Sequence, residues 1–452
     1  MSKSIEDKRK HPRVKTNLDV NISRGILGNS VDLSEGGLSF TSEEIVSSPT
    51  ISLQVRFPGK KKELKTKVKL AWKRSLDEGK SAYGVEFIGL KEKEKAVLRE
   101  ELIKAQLSEL LKGIELPESR KLISDFFLND VLNYVSEMIK LTQRLSKEKR
   151  YSDELGRKLT LLNNQILLKG YQLENRLSDK KNMEKVKDNF RQMVGVWAYK
   201  SVIVKRAFEK PRGYPGDYRM LEIVYDNKPI SPSNDVGLYF DNNFLQSPYA
   251  AAVRIRKDRL RDLLQRFIHE AQLSKINILD IACGSCREIL ELFPGITTSK
   301  KIVFNCLDWD EEALQFSNDT LSYKRPKNVE LKFIKEDVMN IVRNKASVQT
   351  YGKQDLIYSI GLIDYLPDRI LKKLISALFA LLQKGGWLVL THKNKEKTFP
   401  PLPPDWFCNW KFVPRSRDEV IKLFSDCGFS DCLLPVVSDD FEYIYYFTLI
   451  KK

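Results

Sequence analysis

The 452-residue chain predicts a multidomain protein, with an all-β amino-terminal unit, a helical middle and a carboxy-terminal α/β unit built on a mostly parallel sheet. Three observations predict it. Apolar residues alternate with period 2 through the first hundred positions. A stretch without proline between Pro117 and Pro211 carries apolar residues at helical spacing. After about residue 269, strand-like and helix-like segments alternate. Length alone leads to an expectation of roughly three domains.

In the first unit the alternating runs are Leu18–Ile22, Ile51–Phe57, Leu64–Trp72 and Tyr83–Ile88, separated by Gly-, Pro- and Lys-rich turns, as in a small barrel or sandwich. A helix is expected from about Leu90 to Leu111. Two motifs sit on this scaffold. Arg9-Lys10-His11-Pro12-Arg13 places two guanidinium groups four residues apart before the first strand, and Asp32-Leu33-Ser34-Glu35-Gly36-Gly37 is a turn between strands. Guanidinium forks pair with phosphates or a guanine edge and stack on purines. Asp32 can accept from guanine N–H groups, Ser34 offers a hydroxyl, and Gly37 keeps the turn open. Each motif alone reads as a basic leader or an ordinary Asx turn.

Together, RxxxR and [D/N]xSxxG on an all-β pattern resemble the PilZ domain, here over residues 1–112. The resemblance implies binding of cyclic di-GMP through Arg9, Arg13, Asp32, Ser34 and Gly37.

Residues 113–205 read as a helical connector. Leu122, Phe126, Val131, Val135, Met138 and Leu145 form one stripe, and Leu155, Leu159, Leu162, Ile166 and Leu173 a second. A long helix, a helical hairpin or a short coiled coil fits, and so does a homodimer through this segment. Residues 206–268 begin with Arg212-Gly213-Tyr214-Pro215-Gly216-Asp217-Tyr218, a turn dense in aromatic and charged groups that suits the cover of a pocket, and end in a basic helix starting near Ala250.

From 269 onward strands are expected at Asn277–Ile281, Ile302–Leu307, Val329–Ile334, Asp355–Ser359 and Trp387–Thr391. Helices are expected near Arg287–Phe293, Glu311–Tyr323, Asp368–Leu382 and Arg417–Cys427, with a late antiparallel edge strand in Phe441–Ile450. Such a doubly wound sheet binds ligands at the carboxyl ends of its strands. The first strand runs into Asp280-Ile281-Ala282-Cys283-Gly284-Ser285-Cys286, a small-residue turn that lets a ligand approach the backbone. Its single glycine departs from the GxGxxG of dinucleotide-binding domains and argues against NAD.

This turn resembles the first motif of class I S-adenosylmethionine-dependent methyltransferases, on a Rossmann-like fold. The resemblance implies cofactor contacts from Asp280, Ala282 and Gly284. It also implies contacts from Asp308 at the ribose, Asp337 near the adenine, and Gly361. Arg212–Tyr218, Ala282–Gly284 and Gly361–Arg369 together resemble a bacterial family that makes extracellular factor, 3-hydroxypalmitic acid methyl ester, with residues 206–268 as a cap. Ser285-Cys286 and Thr391-His392-Lys393 depart from its usual pattern. The implied acceptor is a fatty-acid-type carboxylate, oriented by Arg212, Tyr214 and Tyr365, while Asp217 and Asp364 serve amino or hydroxyl groups. A carboxylate is already ionised at neutral pH, so alignment and exclusion of water replace a strong base. A different class of reading makes the α/β unit a non-catalytic fold inside a cyclic di-GMP-responsive adaptor.

Composition narrows the remaining classes. Six cysteines make no disulfide framework, and with three histidines and no second CxxC the Cys283–Cys286 pair points to no metal. No apolar run reaches the ~20 residues that span a bilayer, and a cytoplasmic location is expected. The net charge of +17 is spread widely rather than clustered, which argues against nucleic acid as a partner.

Overall fold

The computed structural model describes residues 14–22, 26–57, 63–76, 79–148, 150–177, 180–233, 235–343, 351–398 and 402–452. The leader carrying Arg9 and Arg13 lies outside the described residues. The chain forms two compact units, Met1–Trp197 and Ala198–Lys452. Among the described residues no helix is long and apolar enough to cross a membrane.

The first unit opens with seven strands: β1 (Val14–Lys15), β2 (Asp19–Ile22), β3 (Ile26–Leu33), β4 (Gly37–Ser42), β5 (Thr50–Arg56), β6 (Glu63–Ser75) and β7 (Ser81–Ile88). The order β1-β3-β2-β5-β6-β7-β4, with β4 returning to pair β3, closes six strands into a barrel and leaves β1 on the outside of β3. Alternation produces this directly. In β5, Ile51, Leu53 and Val55 point inward to meet Val20, Phe40, Val68 and Val85, while the residues between them face out. Closure removes the exposed edges that an open sheet of this size would present.

Helices α1 (Glu92–Lys112), α2 (Pro117–Asp125), α3 (Leu132–Leu145), α4 (Asp153–Arg176) and α5 (Lys180–Ala198) follow, with a π-helical turn at Phe126–Val131 between α2 and α3. Of the forms open to the connector, α3 and α4 adopt the hairpin. The Tyr134 hydroxyl donates to Asn163 Oδ1 at 2.8 Å inside it, and Glu137 meets Lys158 at 3.1 Å. The apolar stripes are largely buried within the unit, including Phe126, Val131, Met138, Leu155, Leu159 and Ile166. Leu161 and Leu168, seven apart on α4, remain exposed.

The second unit starts with α6 (Val202–Glu209), α7 (Tyr218–Asp226), α8 (Val236–Leu245) and α9 (Pro248–Glu270). The α/β portion then runs β8 (Lys275–Ile281), α10 (Arg287–Leu292), β9 (Lys301–Asp308), α11 (Glu311–Leu321), β10 (Val329–Lys335), α12 (Val338–Arg343), β11 (Gln354–Ile360), α13 (Asp368–Leu381) and β12 (Leu382–Lys393). It ends with α14 (Leu402–Cys408), α15 (Arg417–Asp426), β13 (Val437–Ser438) and β14 (Ile444–Ile450). The sheet order is β10-β9-β8-β11-β12-β14-β13. Strands β10, β9, β8, β11 and β12 are mutually parallel, and β14 runs antiparallel to β12.

Two sequence expectations change. The last strand is not the edge, because β13 pairs on its outer side. Strand β12 also begins at Leu382, before the Gly385-Gly386 pair, since Gln354 pairs with Leu382 across a register shift in β11. The apolar faces of the sheet are covered by α9 and α10 on one side and by α13 and α15 on the other. The order reverses between β8 and β11, so the crevice expected for a ligand opens beyond the carboxyl ends of these two strands.

Candidate functional sites

A cavity of about 300 Å³ opens at that point, within the second unit. Its floor is the turn after β8. Gly284 adopts φ +56°, a conformation in which a side chain is strained, and Ala282 sits at φ +58° despite its Cβ. Ala282, Gly284, Asp308, Asp337 and Gly361 all line the cavity. Asp308, at the end of β9, accepts from the backbone N–H of Gly284 and of Asp310, both at 2.9 Å. Burial pushes its carboxyl up to about 6, against the lowering effect of those two bonds. Asp337 accepts from the Met339 N–H at 2.8 Å at the far end of the cavity.

Asp280 is placed differently. It lies behind the turn, 1% exposed, and does not line the cavity. Burial pushes its carboxyl up, and burial likewise takes its neighbour Glu288 up to about 7. Glu288 accepts from the Tyr358 hydroxyl at 3.0 Å. The thiols of the CxxC join this cluster, since one carboxylate oxygen of Asp280 and the sulfurs of Cys283 and Cys286 lie within 4.8 Å of one another. These groups belong to the core under the turn, where a low dielectric disfavours the charged form of the acids.

The Arg212–Tyr218 turn covers the cavity, and its residues divide by role. Tyr214 lines the cavity and packs on Trp309, with ring centroids 5.5 Å apart. Arg212 does not point into the cavity: its guanidinium is held by Asp310 and Glu312 at the start of α11, an acceptor-anchor role it therefore cannot fill directly. Asp217 is the N-cap of α7, accepting from the Met220 N–H at 3.0 Å and from Arg206 Nε at 2.9 Å, so its oxygens serve the fold.

Tyr365 lines the cavity and accepts from Trp410 Nε1 at 3.0 Å, which leaves its own O–H to donate. Burial raises both Tyr214 and Tyr365 above the usual phenol range, so each is a neutral donor rather than a base. Asp364 is 1% exposed and outside the cavity lining. Burial alone would raise its carboxyl. Lys393, His392 and Arg256 overcome that and hold it far below the ordinary carboxylate range. Its Oδ1 accepts from the Lys393 N–H at 3.0 Å, and its Oδ2 from the Lys393 ammonium. His392 Nδ1 lies 2.8 Å from Oδ1 but off the line that a hydrogen bond needs.

Several lining residues escaped the sequence reading. Trp309, Trp410 and Phe412 give the cavity aromatic walls, and Arg256 and Lys393 give it buried cations. One signal could have found Arg256. Ala252, Arg256, Leu260, Leu264 and Ile268 recur every four residues on α9 and are all buried, so this arginine lies on the apolar face. Lys393 carried no such signal beyond the unusual Thr391-His392-Lys393 itself.

In the first unit, Asp32 is the penultimate residue of β3 and Gly37 opens β4. The Ser34 hydroxyl donates to the Gly37 carbonyl at 3.0 Å, and Ser34 is buried, so the serine closes its own turn rather than offering a free hydroxyl. Gly37 is required by packing rather than openness: a Cβ there would lie 2.0 Å from the Val85 carbonyl oxygen. Glu35, between them, pairs with Arg99 Nε of α1 at 2.8 Å.

Comparison with known proteins agrees with this division. Residues 7–104 match the PilZ domain family and residues 207–402 a family described as "Putative methyltransferase". A search of the curated proteins finds no match. Among solved structures, a possible exported protein from Bordetella parapertussis is 16% identical, covering 71% of this chain and 96% of that one at a TM-score of 0.41. Magnesium protoporphyrin IX methyltransferase from Synechocystis PCC 6803 with bound SAM is 15% identical, covering 46% and 86% at 0.34. The Bacillus subtilis inhibitor of motility is 20% identical, covering 24% and 54% at 0.21. The chain thus joins an amino-terminal PilZ domain to a carboxy-terminal methyltransferase-type α/β domain.

Proposed function

We propose that the protein is a cyclic di-GMP-responsive methyltransferase that uses S-adenosylmethionine to convert a fatty-acid-type carboxylate to its methyl ester. The observation that carries the enzymatic half is Asp308 and Gly284, hydrogen-bonded to each other at the carboxyl ends of adjacent parallel strands and both facing one aromatic-walled cavity. The cavity fits the cofactor. Asp308, a buried acceptor, would hold the ribose hydroxyls, Asp337 would lie near the adenine, and the turn at Ala282 and Gly284 with Gly361 would let the cofactor approach the backbone. When bound, the cofactor supplies an electrophilic sulfonium methyl. The chain's own part is to position and to exclude water. Trp309, Trp410 and Phe412 wall the cavity, and Tyr214 and Tyr365 donate as neutral hydroxyls. No group in the cavity needs to act as a strong base, since a carboxylate acceptor arrives ionised.

The regulatory half rests on the two PilZ signatures. In this reading Arg9, Arg13 and Asp32 bind cyclic di-GMP, with Ser34 and Gly37 shaping the turn. The Glu35–Arg99 pair links that turn to helix α1 and so to the helical part of the same unit. A homodimer would use the exposed Leu161 and Leu168 of α4. Incubating the protein with methyl-labelled cofactor and a bacterial lipid extract, with and without cyclic di-GMP, tests both halves. A labelled methyl ester whose yield changes with the nucleotide is expected. Absence of cofactor binding by calorimetry sinks the enzyme, and absence of nucleotide binding sinks the sensor.

A further inference from the structure

The cavity sorts its charges. Asp308, Glu336 and Asp337 line it where β9 and β10 end. Arg256 of α9 and Lys393, at the end of β12 across the sheet, line it too, and both are buried. Asp364 lies between the two cations: Lys393 donates to its Oδ2, and Arg256 Nη1 stands 4.0 Å from the same oxygen. Arg256 Nε is buried with no hydrogen-bond partner among the described residues. The guanidinium lies so close under Gly361 that a Cβ there would come within 2.8 Å of Nη1, so the glycine makes room for it. The Lys393 ammonium also sits 4.4 Å from the centre of the Phe412 ring.

Two buried cations thus share one ionised carboxylate. Two acids that act on Tyr225 together with Arg256, Glu222 and Glu288, are engaged by other partners. Glu222 pairs with Arg287 at 2.6 Å, and Glu288 accepts from the Tyr358 hydroxyl in the core under the turn, outside the cavity lining. A buried charge without a full counter-charge is strongly unfavourable, and it faces a cavity that a ligand can enter. Planar, forked arginine suits a planar, two-oxygen anion.

We infer that Arg256 and Lys393 form a carboxylate-binding site, and that the carboxylate it receives is the methyl acceptor's, carried on an apolar chain that lies against Trp410 and Phe412. This rests on the methyltransferase reading and replaces Arg212 as the expected anchor. A carboxylate could also come from the methionyl end of the cofactor, and the experiment separates the two sources.

The test is calorimetry on the full chain with S-adenosylhomocysteine, with 5′-methylthioadenosine, which lacks the amino-acid carboxylate, and with decanoate and decanamide added to the S-adenosylhomocysteine complex. Wild type should bind decanoate about ten- to hundredfold more tightly than decanamide, the range expected for hydrogen bonds to a charged group. Arg256→Gln should remove that preference and leave S-adenosylhomocysteine affinity within about twofold, while Arg256→Lys restores part of it. The thermal midpoint of each variant confirms folding, and Asp364 keeps Lys393 as its partner in both. Equal binding of decanoate and decanamide to wild type overturns the site. So does a preference unchanged in Arg256→Gln and Lys393→Gln. Loss of S-adenosylhomocysteine affinity in Arg256→Gln with methylthioadenosine unaffected assigns the carboxylate to the cofactor and overturns the acceptor assignment. Failure of wild type to bind S-adenosylhomocysteine at all is a failure of the methyltransferase reading instead.

Discussion

The backbone N–H of Gly284 donates to Asp308 Oδ2 at 2.9 Å, tying the turn after β8 to the end of β9. That bond uses one lone pair of a carboxyl whose pKa burial has raised from 3.8 to about 6. The sign matters. Between about pH 4 and 6 the folded protein holds this proton more readily than the unfolded chain, so the group's contribution to stability falls as pH rises through that window. Ribose hydroxyls, as donors, favour the ionised form. S-adenosylhomocysteine binding should therefore weaken as pH falls below about 6 and should release a fraction of a proton near pH 6. Calorimetry in two buffers of different ionisation enthalpy measures that release, and Asp308→Asn should abolish it.

Asp364→Asn should be among the most destabilising substitutions in the second unit. It leaves Lys393 and Arg256 buried without an anion, and removing one partner of a buried pair typically costs about 3–5 kcal/mol. Denaturant unfolding should show the midpoint fall. If stability is unchanged, the site is wetter than its burial indicates, and the charge argument for Arg256 weakens with it.

These two carboxylates show where the sequence was legible. Strand ends are set by apolar runs and turn residues, so the sequence places Asp308 and Gly284 at strand ends, and the methyltransferase resemblance implies their part in a cofactor site. All five parallel strands and the helices α10, α11 and α13 fell within a few residues of their expected positions, except where β12 extends back through Gly385-Gly386, while α12 had no counterpart among the expected helices. Pairing is not local. Arg212 and Asp310 are 98 positions apart, and Asp364 and Lys393 are 29 apart, so nothing near Arg212 or Asp364 in the chain reveals that its charge is already matched. The same holds for Asp280: its place on the strand was readable, but not that it turns into the core beside Glu288 and two thiols.

Arg212→Ala should act through the cap rather than at the acceptor. Its guanidinium fastens the Arg212–Tyr218 turn to Asp310 and Glu312, and it is about a quarter exposed. The Glu312 arm is exposed and contributes about 1 kcal/mol or less, but the Asp310 carboxylate is buried and loses its cation, which adds to that cost. The expected outcome is a clear fall in thermal midpoint and a rise in the dissociation constant for S-adenosylhomocysteine, with the decanoate-to-decanamide preference intact. Loss of that preference would return Arg212 to the role of anchor.

Gly37 and Asp32 stand in one signature but should fail in different ways. A Cβ at position 37 would meet the Val85 carbonyl oxygen at 2.0 Å, across the β4–β7 pairing where Gly37 lies opposite Glu86. Main chain on both sides leaves no flexible side chain to give way, so the strands must separate. Overpacking of this kind costs about 1–3 kcal/mol or more. Gly37→Ala should therefore lower the unfolding midpoint of the first unit whether or not nucleotide is present. Asp32 pairs through its backbone with Lys15 and Ser39, and its side chain is only partly buried. Asp32→Ala should lower that midpoint less than Gly37→Ala does and should remove the shift produced by cyclic di-GMP. Differential scanning fluorimetry with and without the nucleotide distinguishes the two. If Asp32→Ala keeps the full nucleotide-induced shift, the aspartate is structural and the binding role proposed for the turn is wrong.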